Sequence, residues 1–566
     1  MTTWKPSFTW KPAIGVLVLG GVALLAGMTV LLGWVDWLAL GRWARPRAVP
    51  LVLLAAAGVC AVIGAWLLRS SRAPQRRAPG MSWWVVVAAA VVVIVVGWAA
   101  TSWLLGEAAA AKDTGAARVD AIKTGLGIGA GTTGIFALLL AVRRQWHNEI
   151  DATEKNVTEQ FTKASDQLGS VEAPVRLAGL YALERLAHNN PDQRQSIVNV
   201  ICAYLRMPYT PSDSHAADGS VLEEQDLEHQ KHTQEREVRL AAQRILAAHV
   251  NPLNHRKFWD DVDLDLTNAN LIDFNLEDCR VRATRFNGAT FTGVARFNNT
   301  TFTGDTRFVG VTFKDVAWFV GATFARIALF ERAIFTESAW FADARGRDIP
   351  PTGPTFTRKG KVSDVATFRG DAWFGEVTFA KSAHFGSVAF AGETRFIGAT
   401  FSGSAWFASA SFTRANFADA NFVGPAWFQH ARFIGDTEFG DVNFADSVRF
   451  KDAIFSRAAS FEGAIFTGTA VFDAAVTFAG DANFSDVIFV GRASFEGASF
   501  RSALIFRKVT FAGSAWFGGV NCLGDASFDE VIFIGDPRMS RELSSKASFT
   551  DSVVVLYKSD KVGMVL

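Results

Sequence analysis

The chain has 566 residues, with 56 Lys+Arg against 55 Asp+Glu and a formal net charge of +1. That balance writes in no global electrostatic preference for a nucleic acid or any other polyanion. Only four cysteines occur, at 60, 202, 279 and 522, and none stand in a metal-like pair, so they read as buried reduced thiols suited to a cytoplasm.

The first 145 residues read as a membrane region. Ala13–Trp34, Val49–Leu68 and Trp83–Leu105 are apolar stretches of about 20 residues, the length that crosses ~30 Å of hydrocarbon. A fourth stretch, Gly125–Val142, is shorter and glycine-rich, with small residues suited to close helix packing. The first is too long for a removable signal peptide and has no convincing small-residue cleavage site. Orientation follows from charge. Arg69, Arg72, Arg76 and Arg77 crowd one linker without an acid, and Lys5, Lys11, Arg143 and Arg144 share its side if four helices span. The expectation is a multi-pass inner (plasma) membrane protein with both termini in the cytoplasm. If the fourth stretch does not span, everything after it lies outside.

Residues 146–255 read as a soluble helical domain. Val175-Arg-Leu-Ala178, followed by Leu183, recurs as Val238-Arg-Leu-Ala241, followed by Leu246, at helical spacing in a manner reminiscent of HEAT-like helix pairs. Asn190-Pro191-Asp192 predicts a helix stop and restart, and Pro208 to Ser220 reads as a linker.

From residue 260 onward the pattern changes. Phenylalanine recurs in steps of five and six, as in Phe286, Phe291, Phe297, Phe302, Phe308, Phe313 and Phe319, and continues to Phe533. Of the 48 phenylalanines, 43 lie at or beyond Phe286. Two residues before most ladder positions sits a small residue, among them Ala289, Ala295, Ala317, Ala405 and Ala426. Side chains two apart on an extended segment share a face, so the large Phe and small Ala both point inward. A 5/6 spacing traces no helix face, and the pattern never pauses for hairpin turns. Four short sides per turn fit it, with about 22 residues per coil in a stacked solenoid. Leu266, Leu271, Leu276 and Val281 occupy the same frame before the phenylalanines begin. The ladder gives 11 or 12 coils, a rod on the order of 50 to 60 Å long.

The rhythm breaks between Phe341 and Phe368, where the ladder resumes 22 residues late. The intervening residues 342–367 carry Gly346, Pro350, Pro351, Gly353 and Pro354, and read as a loop insertion followed by an imperfect strand near Phe356. Residues 536–566 read as a C-terminal cap, with Ser552 to Tyr557 able to cap or pair at that end.

Ala269-Asn270-Leu271 and the Ala-x-Phe units after it resemble the pentapeptide-repeat family, whose unit is A(D/N)LXX with Leu or Phe at its centre. The resemblance covers about Leu264 to Phe533 and implies a right-handed quadrilateral β-helix. The extra residue in alternate units departs from the family pattern and predicts a bulged corner or side. The segment from Thr158 through Arg185 resembles the juxtamembrane region of actinobacterial membrane-anchored pentapeptide-repeat proteins. The fold class expected is thus multidomain: transmembrane helices, a small all-α domain, then an all-β solenoid over 260–566. End-to-end homodimerisation through the last coil is what the family resemblance implies.

No nucleophile elbow, phosphate loop, zinc spacing or dinucleotide fingerprint is present, so neither enzyme activity nor a cofactor or metal is expected. His229 and His232 read as a solvated helix face with no third ligand nearby. One feature stands out. Trp318, Trp340, Trp406, Trp427 and Trp516 each precede a six-step Phe, and counting half-coils puts all five on one side, with Trp373 opposite. They predict an exposed stripe for an unidentified protein partner on a membrane-anchored scaffold. Two other readings come with it. Mimicry of duplex DNA toward a type II topoisomerase needs a strongly acidic rod, but 264–535 holds 28 acids against 25 bases, so no nucleic-acid-like role is expected. Glycan stacking on the Trp stripe requires the inverted topology.

Overall fold

The computed structural model describes residues 154–209, 222–342, 365–473 and 475–535, parts of 537–564, and isolated positions between 115 and 152. The four expected membrane spans lie outside the described residues, single positions aside. Among the described residues no helix is long and apolar enough to cross a membrane. The chain divides into two compact units, Met1–His147 and Asn148–Leu566, and the elements below lie in the second.

Three helices precede the strands: α1 (Ala173–Asn189), α2 (Arg194–Arg206) and α3 (Leu222–His249). The Asn190-Pro191-Asp192 break is real, because Pro191 opens a short 3-10 turn between α1 and α2. α2 buries Ile197, Val198, Ile201, Cys202 and Leu205, at the 1, 4, 5 spacing of one helix face. α3 buries Val238, Ala241, Ala242, Ile245 and Leu246. These side chains and the first strands share one continuous apolar core.

The strands stack as a solenoid of about 12 turns. Each turn contributes one short strand to each of four sides, and every rung pairs in parallel with the next, as in Ala405↔Ala426 and Thr400↔Asn421. One side is an 11-stranded sheet and another a 14-stranded sheet. The 22-stranded sheet wraps the other two, because Ala389–Arg395 and Ser411–Asn416 run unbroken around their shared corner. Five-residue steps turn through a left-handed residue, supplied at low cost by Asn, Asp or Gly in some coils, such as Asn299, Gly310 and Asp441, and by other residues elsewhere, such as Arg332, Glu376 and Lys508. Six-residue steps place their extra residue in a bend at the corner, as Phe302–Phe308 and Phe466–Phe472 do. There adjacent rungs nearly touch: a Cβ on Gly491 would lie 2.3 Å from the Gly468 carbonyl oxygen. At Gly491 the stacked backbones leave no room for a side chain, although other rungs of these corners carry one, such as Asp446 and Arg326.

Inside, the phenylalanines form four columns. Phe385, Phe407, Phe428 and Phe450 lie 4.9 to 5.1 Å apart, centroid to centroid, and tilt by 3–8°. Across the tube the rings meet edge to face, as Phe396 and Phe407 do at 5.4 Å and 80°. Each ring thus satisfies its quadrupole in both directions while excluding water. Cys522 occupies one column in register with Phe500, leaving its buried thiol among aromatic rings.

The insertion leaves the stack unchanged. Thr323–Phe324 pairs directly with Thr367–Phe368, and Phe324 stacks on Phe368 at 4.6 Å, so no coil intervenes. An antiparallel bridge between Ala342 and Val365 closes the base of the excursion at one corner. Its interior, 343–364, including the strand expected near Phe356, lies outside the described residues. At the other end the stack outlasts the ladder ending at Phe533. Ala547–Thr550 pairs with Ala526–Asp529, and Phe549 stacks on Phe528 at 4.9 Å. Val553–Lys558 then pairs with Ile532–Phe533 and folds back as an antiparallel hairpin with Lys561–Met564.

The first coil presents unpaired strand edges, and the helices satisfy them. Gln195 accepts from the Asp263 N–H and donates to its carbonyl, both at 2.9 Å, so its amide stands in for a neighbouring strand. Gln243 does the same for Ile272, at 3.0 and 2.7 Å. The Arg280 N–H donates to Val250 and Arg206 donates to the Asp265 carbonyl. The helices therefore seal the N-terminal edge against pairing with another chain.

Candidate functional site

The 11-stranded side carries an outward column of one residue per rung. In order it reads Arg296, Trp318, Trp340, His384, Trp406, Trp427, Arg449, Val471, Ser494, Trp516 and Arg538. All five tryptophans singled out in the sequence stand in it. Trp373 lies on the 22-stranded sheet, paired with Leu329 and Arg395.

Register alone brings the rings into contact. Trp318 and Trp340 stack at 5.3 Å, and Trp406 and Trp427 at 5.0 Å. His384 joins the two pairs, 3.6 Å from Trp340 and 6.2 Å from Trp406, with all three rings within 8° of parallel. The guanidinium of Arg449 caps the stack, 4.6 Å from the Trp427 ring centre. Trp516, three rungs further, sits between Arg492 at 4.7 Å and Arg538 at 5.1 Å. Arg395 covers Trp373 in the same way, at 4.7 Å.

This geometry changes what the column offers. The rings stack along the solenoid axis, so their faces are occupied by neighbours and only their edges point outward. Trp340 and Trp406 retain only 7% and 9% of their exposure, and the other three are half-buried. The expectation of a broadly exposed apolar stripe is corrected to that extent: the column is outward in register but largely closed by its own stacking. The larger exposed aliphatic surface is on the 14-stranded side. There Ile465, Ile488, Val490, Ile532 and Ile534 are 39–47% exposed on its C-terminal rungs.

His384 is the residue the sequence reading missed. It occupies the position a tryptophan holds elsewhere, directly before Phe385, so the same alignment of units contains the signal. Burial between two indoles pushes its imidazole down to about 4, and its Nδ1 has no hydrogen-bond partner. Its carbonyl accepts from the Phe341 N–H at 2.8 Å, one residue from the bridge that closes the insertion.

The remaining polar candidates have structural explanations. His229 is exposed, and the ring of His232 lies 6.5 Å from that of Tyr209. Burial pushes the thiols of Cys202 and Cys279 up to about 12, which removes their nucleophilic form at neutral pH. Arg239, almost fully buried, donates to the Leu205 and Met207 carbonyls and to Glu235, which also binds Tyr204 and Arg176. That network ties α1, α2 and α3 together. Among the described residues no group of three or more His, Cys, Asp or Glu is placed to hold a metal ion.

A family model described as pentapeptide repeats (9 copies) matches residues 385–432 and 428–476. No curated protein and no solved structure matches the chain. Those matched residues lie within the solenoid and include His384's neighbours Phe385 and Trp406, and Trp427 one rung further.

Proposed function

We propose that the protein is a non-enzymatic scaffold. Its solenoid is a rigid rod that presents a protein-docking side, tethered to a membrane by the apolar N-terminal stretches. The observation that carries this reading is the unbroken core. One apolar cluster runs from Leu180 in α1 to Phe533, and each buried Phe contributes roughly 1.5–3 kcal/mol before ordering entropy is subtracted. Such a rod has no internal hinge among its paired rungs, which suits display of a surface rather than closure around a substrate.

The alternatives fit less well. A duplex mimic needs an acidic exterior, whereas arginine recurs along the outward columns at Arg285, Arg307, Arg395 and Arg449. Sugar stacking needs open ring faces, and those of the Trp column are taken by neighbouring rings and guanidinium groups.

Two experiments test the reading. A photo-crosslinking residue placed at Ile488 in cells should give a discrete adduct, while the same residue at Ser460 on the 22-stranded sheet should not. Equal adducts from both sides would argue against a dedicated docking side. For the anchor, a cysteine at exposed Ser409, with Cys60, Cys202, Cys279 and Cys522 replaced, should resist an impermeant thiol reagent until cells are lysed. Labelling of intact cells would place the rod outside.

A further inference from the structure

Arg285 and Arg307 are direct partners in register on adjacent rungs of the 22-stranded sheet. Neighbouring strands lie ~4.8 Å apart, and like charges placed directly opposite on such strands disfavour the fold. Among the described residues, neither arginine has an acid within ion-pairing distance. Asp265, in register with Arg285 on the first strand, and Asp263 both feel its charge, but each makes its ion pair with another arginine: Asp263 with Arg282 at 2.7 Å, and Asp265 with Arg206 at 3.0 Å. A third unpaired guanidinium, Arg326, lines the same open groove of about 480 Å³. Asp305 in that groove makes no ion pair among the described residues, and Asp261 is bound by Arg282 at 2.9 Å. Because Arg282 is shared between Asp261 and Asp263, the lining as a whole carries four arginines against three aspartates, a net of one positive charge.

The floor of the groove is open by construction. Gly304 stands between Arg282 and Arg326 along the corner, and a Cβ there would lie 3.0 Å from the Arg282 carbonyl carbon. The rungs above and below thus carry arginine while the middle one carries no side chain. Guanidinium forks bind planar or tetrahedral oxyanions in a bidentate manner, and several together favour a doubly charged group over a single carboxylate.

We propose that this groove binds a phosphate group, with Arg285 and Arg307 as its main ligands and Arg326 completing the site. The site lies on the first coils, beside the helical cap and away from both the Trp column and the aliphatic rungs. The same chemistry is offered by a phospholipid headgroup and by a free phosphorylated small molecule.

Native mass spectrometry of the full chain, released from detergent, tests the proposal with two probes offered separately: inorganic pyrophosphate and phosphatidic acid, whose headgroup is a phosphate monoester. The wild type is expected to show a saturable adduct. The double variant Arg285→Gln/Arg307→Gln should weaken it at least tenfold, while the charge-matched control Arg432→Gln/Arg501→Gln should leave it intact. Loss of the pyrophosphate adduct in the double variant identifies a free phosphate ligand. Loss confined to the lipid adduct identifies a headgroup. Adducts of equal strength in wild type, double variant and control, or none with either probe, would overturn the site. Circular dichroism of each variant confirms that these exposed substitutions leave the fold in place.

Discussion

The inner and outer aromatic columns of the 11-stranded side share one backbone register and differ in what the fold demands of them. Phe385, Phe407, Phe428 and Phe450 face inward, fully buried, and the column continues through Phe472, Phe495 and Phe517. One position earlier, Trp340, His384, Trp406 and Trp427 face outward and give way to Arg449, Val471 and Ser494. A vacancy inside would open a cavity in a packed tube, so every rung must fill it. A vacancy outside fills with water. The regular column is thus the requirement of the architecture, and the irregular one records something the architecture does not require.

The sharpest way to break this comparison is to truncate both columns at one rung. Phe407→Ala should destabilise the full chain by roughly 3–5 kcal/mol, read from the midpoint of guanidinium unfolding, because the rungs above and below cannot collapse into the space. A cost below about 1 kcal/mol would mean that the columns relax and that the rod is softer than its packing implies.

Acid should act on the outer column next. His384 is nearly buried, and its imidazole is held at about 4 against an ordinary 6.5. Between those values the unfolded chain binds a proton that the folded chain refuses, so stability is full above pH 6.5 and falls as pH drops toward 4. Near pH 4.5 the loss attributable to this residue is roughly 2–3 kcal/mol. The difference between wild type and His384→Phe at pH 7 and pH 4.5 isolates it from other titrating groups. An unchanged difference would mean that the ring is open to water.

How much of this was readable from the sequence follows from what each feature depends on. The phenylalanine columns depend on a period, and a period is visible in one dimension, so the coil length and the inward frame from Leu266 to Phe533 follow from spacing alone. The side on which each tryptophan falls follows too, since Trp318, Trp406 and Trp373 can be placed by counting half-coils across the insertion. Exposure does not. Whether Trp406 is open depends on the rungs beside it, and the pairing of His384 with Trp340 becomes visible only when Phe368 is seated on Phe324. The helical cap was equally hidden. Gln195 and Gln243 act on strand edges 68 and 29 residues away, and nothing local distinguishes them from solvated glutamines.

A smaller effect separates the two columns directly. Trp406→Ala removes two stacked neighbours but opens no sealed cavity, so its cost should be roughly 1–2 kcal/mol, well under that of Phe407→Ala one residue away. Equal costs for the pair would show that the outer column is part of the core in energetic terms.

Arg449→Gln is the smallest change and the one that distinguishes the two roles the outer column can have. The guanidinium sits over the Trp427 ring, and an exposed cation–π contact contributes about 0.5 kcal/mol. If the column serves only to stiffen the rod, this variant should lower the unfolding midpoint slightly and leave partner contacts untouched. If its open end is instead read by a partner, glutamine uncovers one indole face while stability barely moves. Photo-crosslinking from the nearby exposed Asp446 position would then change in yield. The same substitution at Arg395 over Trp373, on the 22-stranded sheet, supplies the control, since its stacking geometry is nearly identical and its surroundings differ. A matched loss of stability at both sites with no change in crosslinking assigns the outer rings to structure. A crosslinking change at Arg449 alone assigns the 11-stranded side to recognition, with the Phe columns holding it rigid.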